Sequence, residues 1–146
     1  MAIILTRQGS AATKLDPTPF PDEQQLQAYI AANPECIPMR EIEEGLHLLV
    51  LGREFPTGSG PIDVLAMDSD GVLYLIETKL YSNADKRKVV AQVLDYAAAL
   101  WTAGADEVSR SLTTFVPAVG GTLIERLQET YDLSEDEAQE LSLIHI

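Results

Sequence analysis

The chain has 146 residues, with 10 Lys and Arg against 23 Asp and Glu, giving a formal net charge of −13. A hydrophobic content of 46% with 23% charged residues is a globular composition and excludes a wholly disordered chain; the length suits one ordinary domain. The acidic balance argues against a protein that binds nucleic acid through a general basic surface, because such a surface needs an excess of Lys and Arg.

The N-terminal third is predicted to contain an edge strand, a linker and a helix. The apolar run Ala2–Leu5 favours the strand, and a polar, Pro-rich linker follows it. Asp22 with Gln25 three residues later resembles a capping box and predicts a helix that Asn33 ends. Residues 35–45 fit either a turn or a short helix.

Three strands are predicted next, at His47–Glu54, Ile62–Met67 and Val72–Lys79. A Gly- and Pro-rich loop over residues 56–61 separates the first two, and Asp68–Gly71 is predicted to be a hairpin turn. Strands joined by such short connections pair in antiparallel fashion.

The remaining part is predicted to be a long helix over Ala84–Ala103 with Ser82 or Asn83 as its cap, a strand at Leu112–Val116 and a helix at Thr122–Tyr131. The apolar face of the long helix comprises Val89, Val90, Val93, Leu94, Ala97, Leu100 and Trp101. A strand that returns after a long crossover helix can pair in parallel. We therefore predict an α/β fold of order α-β-β-β-α-β-α, with a central mixed sheet of three antiparallel strands and one parallel return strand between helices.

We divide the chain into an N-terminal strand and linker at residues 1–21, a domain at 22–131, the start of a truncated C-terminal region at 132–140, and residues 141–146. The last six residues match, codon for codon, the translation of a transposase adapter used in sequencing libraries. We expect them to be an artefact and the chain to be a fragment of a longer, metagenomic protein.

The cellular setting is predicted from what the sequence lacks. No apolar run approaches the roughly 18 residues that would span a bilayer, and the first residues lack a signal-peptide pattern. The single cysteine, Cys36, excludes an internal disulfide framework and a Cys-rich zinc site. We expect a cytoplasmic protein that does not associate with membranes.

Three charged residues lie in two apolar strands that are predicted to pair. Asp63 lies in the first, and Glu77 and Lys79 lie two residues apart in the second, so the latter two share a face. Pairing across the hairpin can bring Asp63 close to Glu77. Burying such charges is unfavourable unless they pair or bind an ion. Two carboxylates suit Mg²⁺, which activates water and polarises phosphate, and a lysine can orient the attacking water.

The same stretch resembles a known family. Gly60-Pro61-Ile62-Asp63-Val64-Leu65, Ile76-Glu77-Thr78-Lys79 and a helix containing Gln92-x-x-x-Tyr96 are similar to the PD-(D/E)xK nuclease superfamily, the restriction-endonuclease-like fold. The nearest branch is that of NucS-like and RecB-like nuclease domains, grouped with tRNA-endonuclease-like domains. One departure is that Ile62, and not proline, directly precedes the first acid.

The resemblance implies a role for each matching residue. Asp63 and Glu77 would bind Mg²⁺ or Mn²⁺ together with the backbone carbonyl of Thr78. Lys79 would be the catalytic lysine, and Gln92 would lie next to phosphate or water.

The resemblance also implies that Glu23 would be an additional acid of the active site, contributed by the first helix. The residues expected to contact nucleic acid, most of them basic, are Arg53, Lys86, Arg87, Lys88 and Tyr96. The implied substrate is DNA, and many members of the fold act as homodimers.

Simpler interpretations remain open. Asp63, Glu77 and Lys79 can form a structural ion-pair cluster, and Glu23 can be an acid favoured by the helix dipole. Tyr96 fits packing at least as well as chemistry. The domain as a whole can be a nucleic-acid-binding or targeting module without turnover, or an interaction domain that reuses the fold.

The charge is unevenly distributed. Residues 125–146 carry seven acids and one arginine, so the rest of the chain has a net charge of −7. Residues 77–90 have a local charge of +2. The acidic total therefore does not exclude nucleic acid as the partner, and it predicts local, metal-assisted contacts with phosphate.

Overall fold

The computed structural model describes residues 3–5, 11–81 and 85–142. The strands are β1 (Ile3–Leu5), β2 (Thr13–Leu15), β3 (Leu49–Thr57), β4 (Gly60–Met67) and β5 (Leu73–Ile76). The helices are α1 (Glu23–Ala32), α2 (Lys86–Ala103), α3 (Ala105–Phe115), α4 (Leu123–Tyr131) and α5 (Glu135–Ser142). Short 3₁₀ turns cover Pro34–Cys36, Met39–Glu41 and Val116–Val119. Among the described helices, none is both long and apolar enough to cross a membrane.

The N-terminal prediction is confirmed in outline. β1 pairs antiparallel with β2, a strand in the segment that we expected to be a linker, and the two form a sheet of their own. Helix α1 begins after Asp22, whose carboxylate accepts the Gln25 N–H at 2.7 Å, as the capping pattern predicted. The ambiguous stretch at 35–45 contains 3₁₀ turns.

The central sheet has the order β3-β4-β5 and is antiparallel throughout. The predicted loop at 56–61 is wrong in extent, because β3 runs to Thr57 and β4 begins at Gly60. Thr57 closes the turn between them: its hydroxyl donates to the Gly60 carbonyl at 2.6 Å and accepts the Ser59 N–H at 3.2 Å. These bonds stabilise the tip, where Thr57 still pairs with Gly60 and only Gly58 and Ser59 form the turn.

The third strand is shorter than predicted. Of Val72–Lys79, only Leu73–Ile76 forms β5, so Glu77 and Lys79 lie just beyond the strand. The chain leaves the ladder because the Thr78 N–H donates to the Asp63 side chain, at 2.7 Å, and not to a backbone carbonyl. The predicted turn at Asp68–Gly71 is confirmed, and the Asp68 carboxylate accepts the N–H groups of Asp70 and Val72.

The predicted parallel strand at Leu112–Val116 is wrong. These residues lie in α3 and in the 3₁₀ turn that follows it, and the described residues form no parallel pair. The reason is visible over a longer stretch of sequence. Val108, Leu112 and Val116 follow one another at intervals of four residues, and all three are fully or nearly fully buried. That spacing is one face of a helix, and it outweighs the strand propensity of a short β-branched run.

Helix α4 packs against β3. The Arg126 guanidinium donates to the carbonyls of Val50 and Leu51, where a bulge shifts the register of β3. The Tyr131 hydroxyl accepts the Leu49 N–H at 3.0 Å and donates to the Met67 carbonyl at 2.8 Å. Burial raises the pKa of Tyr131 to about 12. Arg126 thus satisfies two carbonyls at the bulge of β3, and Tyr131 bridges the register partners Leu49 and Met67.

Helix α2 ends at Ala103 as predicted, but it begins at Lys86 with a different cap. Asp85 is the N-cap, accepting the N–H groups of Arg87 and Lys88, and the predicted caps Ser82 and Asn83 lie outside the described residues. The apolar face is only partly buried. Leu100 packs into the core, whereas three residues of the predicted apolar face are more than half exposed: Val90, Leu94 and Trp101.

Candidate active site at the open end of the central hairpin

The site forms where β4 and β5 separate, and Asp63 is its first element. The register pairs Val64 with Ile76, so Asp63 and Glu77 are the next opposed positions along the hairpin. One oxygen of Asp63, Oδ2, accepts two bonds from Thr78: its N–H at 2.7 Å and its hydroxyl at 2.8 Å. Thr78 is itself buried. These bonds fix the carboxylate and turn the chain after β5 towards it.

Glu77 carries a buried carboxylate with one oxygen paired and one unpaired. Its side chain is only 3% exposed, and Oε1 lies 3.3 Å from Lys79 Nζ. Oε2 is buried without a hydrogen-bond partner. Burial, and then the charge of Asp63, raise the pKa of Glu77 above its usual range, against the opposing effect of Lys79. The folded chain therefore holds an under-compensated negative charge at this point.

Lys79 bridges two acids from different elements. Its ammonium lies 3.3 Å from Glu77 Oε1 and 3.2 Å from Oε2 of Glu23, which is the first residue of α1. Burial lowers the pKa of Lys79, but the bonds and charges of Glu23 and Glu77 outweigh it and the net direction is upward. The lysine is thus held as a cation. The Leu80 N–H also donates to Glu23 Oε1, at 3.4 Å, which ties α1 to the chain after β5.

Helix α2 contributes Gln92 and Tyr96 from the other side. The carbonyl oxygen of Gln92 is buried without a hydrogen-bond partner. Tyr96 is buried in the core, and burial, followed by the charge of Glu77, raises its pKa. The tyrosine therefore packs beside the site. Its buried side chain does not form an exposed surface for nucleic acid.

A cavity of about 230 Å³ opens beside these groups. It is lined by Glu23, Lys79, Asp85, Lys88, Val89 and Gln92. Its charged lining comes from α1, from the chain after β5 and from the start of α2. A small charged ligand that enters it meets the ammonium of Lys79 directly.

The donor set fits a hard divalent cation. Asp63 and Glu77 supply carboxylate oxygen atoms, and Mg²⁺ prefers oxygen ligands and keeps several waters. The unpaired Glu77 Oε2 and Gln92 oxygen are the kind of buried acceptors that an ion or its water would satisfy. No group of three or more His, Cys, Asp or Glu side chains among the described residues is arranged to hold a metal. Water would therefore have to complete the coordination of an ion bound here.

All but one of the remaining predicted residues lie around this centre. Lys86, Arg87 and Lys88 are exposed at the start of α2, and Lys88 reaches the cavity. Arg53 lies elsewhere, on β3 against α1, where its guanidinium donates to Gln27 and to the Gln24 carbonyl. Its predicted contact with phosphate stays a prediction.

Two residues near the site were missed from the sequence. Gln27 is 3% exposed and bonds both Arg53 and Glu54. The sequence did contain a signal for Gln27, because it is a polar residue four positions after Glu23, on the side of α1 that was expected to face the sheet. Glu54 carried no such signal, since its role depends on a backbone angle that the sequence does not reveal.

Comparison with known proteins gives one partial similarity. A curated protein named Endonuclease NucS, from Bifidobacterium animalis subsp. lactis (strain AD011), is 40% identical over 63 residues. The matched stretch is 43% of this chain and 24% of that protein, so the chain corresponds to a small part of its relative. No protein-family model and no solved structure matches the chain. The similarity indicates a nuclease-like relationship.

Proposed function

We propose that this chain is a metal-dependent nuclease domain that hydrolyses phosphodiester bonds of DNA. The observation that carries the proposal is the convergence of Asp63, Glu77 and Lys79 at the open end of one hairpin, with a buried carboxylate oxygen left unpaired. The partial similarity to a protein named as an endonuclease supports the same reaction class. The resemblance to the PD-(D/E)xK superfamily assigns the same three residues.

Asp63 and Glu77 would hold Mg²⁺ or Mn²⁺, with the Thr78 carbonyl as a further oxygen ligand. A bound divalent cation supplies Lewis-acid activation of the scissile phosphate and lowers the pKa of a coordinated water. Thr78 keeps the Asp63 carboxylate in one orientation through two hydrogen bonds. The ion would also offset the unfavourable burial of the Glu77 charge.

Lys79 would act on the attacking water and on the developing negative charge. Its ammonium is held by Glu23 and Glu77, so it remains protonated in the resting site and can stabilise charge on the phosphate. Gln92 has a buried carbonyl oxygen that can accept a hydrogen bond from water. Lys86, Arg87 and Lys88 would contact phosphates that flank the scissile bond.

The test is cleavage of single-stranded, flapped and mismatched DNA with Mg²⁺, Mn²⁺ or chelator. We expect Asp63→Asn and Lys79→Met to lose cleavage by at least about a hundredfold, as removal of a group acting in the transition state does. Asp95→Asn and Lys14→Met, which change exposed residues of the same types, should retain it. Equal cleavage by Asp63→Asn and the unaltered chain would refute the proposal. Binding that persists in chelator, without cleavage of any substrate, would identify a binding module instead.

A further inference from the structure

Gln27 connects α1 to two consecutive residues of β3. Its carbonyl oxygen accepts from Arg53 Nε at 2.9 Å and from Nη2 at 2.5 Å, and its amide donates to Glu54 Oε1 at 2.6 Å. The side chain is buried, so each of these bonds replaces one that water would otherwise make. Gln27 thereby ties α1 to β3.

A regular strand cannot make this contact, because consecutive side chains point to opposite faces of a sheet. Arg53 pairs with Val64 and Phe55 with Ile62, so Glu54 stands opposite Asp63 in register. Regular geometry would place the Glu54 carboxylate on the same face as Asp63. Glu54 instead has a φ of 56°, in the left-handed region that non-glycine residues rarely adopt, and its side chain reaches Gln27.

The consequence for the site follows from helical spacing. Gln27 lies four residues after Glu23, so the two side chains share one face of α1. Glu23 contacts Lys79 and the Leu80 N–H from that face. A displacement of α1 along β3 would therefore move Glu23 away from Lys79.

We propose that Gln27, which is hydrogen-bonded to Arg53 and to Glu54 in its left-handed conformation, is a positioning residue that holds Glu23 in contact with Lys79. This assigns Arg53 and Glu54 to holding α1 in place. The inference rests on the proposed function for its catalytic consequence, although the positioning itself is independent of catalysis.

The polarity of the hydrogen bonds gives a specific pattern for mutation. Glu54→Gln leaves an oxygen that can accept from Gln27, so cleavage should stay within about threefold of the unaltered chain. Gln27→Glu places a carboxylate against Glu54, and kcat should fall at least about tenfold with KM little changed, as misplacement of catalytic groups does. The double variant Q27E/E54Q restores a donor and an acceptor and should recover most of the lost kcat. Gln24→Leu, next to these residues but with an exposed side chain, is the matched control.

A second measurement does not require activity. The chain has four lysines, so a protein labelled with ¹³C at the lysine Cε gives few resonances, and Lys79→Arg identifies that of Lys79. At one fixed neutral pH, Gln27→Glu should shift the Lys79 resonance in the direction that Glu23→Gln shifts it. Gln24→Leu and Q27E/E54Q should leave it near its original position.

The outcomes separate the two proposals. If no form of the chain cleaves DNA but the Lys79 resonance follows this pattern, the proposed function fails and the positioning stands. If Gln27→Glu cleaves normally and leaves the Lys79 resonance unchanged, the positioning role is overturned. The role is also overturned if the double variant restores neither the cleavage nor the Lys79 resonance. Circular dichroism at the assay temperature shows that each variant is folded.

Discussion

Thr78 donates two hydrogen bonds to a single oxygen of Asp63, its N–H at 2.7 Å and its hydroxyl at 2.8 Å. The backbone bond ends β5, and the hydroxyl bond fixes the carboxylate that the strand's end exposes. One residue thus both terminates the strand and orients a functional group. Thr78 lies between Glu77 and Lys79 in the chain, so its bonds to Asp63 also bring these two neighbours to the carboxylate. The three charged side chains therefore meet although only Asp63 lies in a strand.

Removal of the Thr78 hydroxyl should weaken the site more than the fold. Thr78→Val keeps the side-chain shape and the backbone N–H bond, so we expect a loss of about 1 kcal/mol in unfolding free energy. Cleavage should fall about tenfold, because Asp63 would no longer be held in one orientation. Urea denaturation and single-turnover cleavage measure the two effects. Thr78→Ser, which retains the hydroxyl, is the control, and equal cleavage by both variants would contradict the assignment.

The contribution of Glu77 to the stability of the metal-free protein should depend on pH in a predictable direction. Its pKa is raised above the ordinary 4.5 by burial and by Asp63, so the folded state binds its proton more tightly than the unfolded state. The group's contribution to stability is then full below pH 4.5 and is lost as pH rises through the folded-state pKa.

Glu77→Gln should therefore stabilise the metal-free chain at neutral pH and have a smaller effect at acidic pH, while Lys79 keeps Glu23 as its partner. Unfolding free energies measured in chelator across this range test the sign. A Glu77→Gln effect that is independent of pH would contradict the argument.

Binding of a divalent cation should stabilise the folded chain. A ligand that binds only the folded state at about 100 times its Kd contributes about 2.7 kcal/mol. Mg²⁺ or Mn²⁺ should thus raise the Tm of the unaltered chain and of Asp95→Asn, but not that of Asp63→Asn. Asparagine can still accept from Thr78, so the local structure should survive the change. An identical metal response in Asp63→Asn would place any bound ion elsewhere.

Gly52 is expected to be intolerant of any side chain. A Cβ at this position in β3 would overlap the ring of Phe115, which packs edge-on against Phe55. Gly52→Ala should destabilise the chain by about 1–3 kcal/mol, the usual effect of overpacking a core. Gly58→Ala, at a turn where nothing lies within 4 Å of the new atom, is the control in thermal unfolding. Equal Tm values for the two variants would contradict the packing.

The local features of this fold could be read from the sequence. The Asp22 cap, the turn at Asp68–Gly71 and the end of α2 at Ala103 each depend on residues a few positions apart, so a short stretch of sequence contains their cause. The opposition of Asp63 and Glu77 could also be predicted, because a tight turn fixes the register of both strands.

The features that could not be predicted from short stretches of sequence depend on residues that are distant in the chain. The run at Leu112–Val116 has strand-like composition, but burial of one face every four residues from Val108 makes it helical. The end of β5 after Ile76 depends on a carboxylate that lies 15 residues away from Thr78 in the chain.

The sequence by itself determined which chemistry is available: two carboxylates and a lysine at hairpin spacing, in a chain that carries seven of its 23 acids in residues 125–146. Only the tertiary structure decided how that chemistry is arranged. Glu23 reaches Lys79 because α1 is fixed on β3, and it is fixed there because Glu54 adopts a left-handed backbone and meets Gln27. That conformation is unfavourable for glutamate by itself, so its cause lies in the contacts around it and not in the residue.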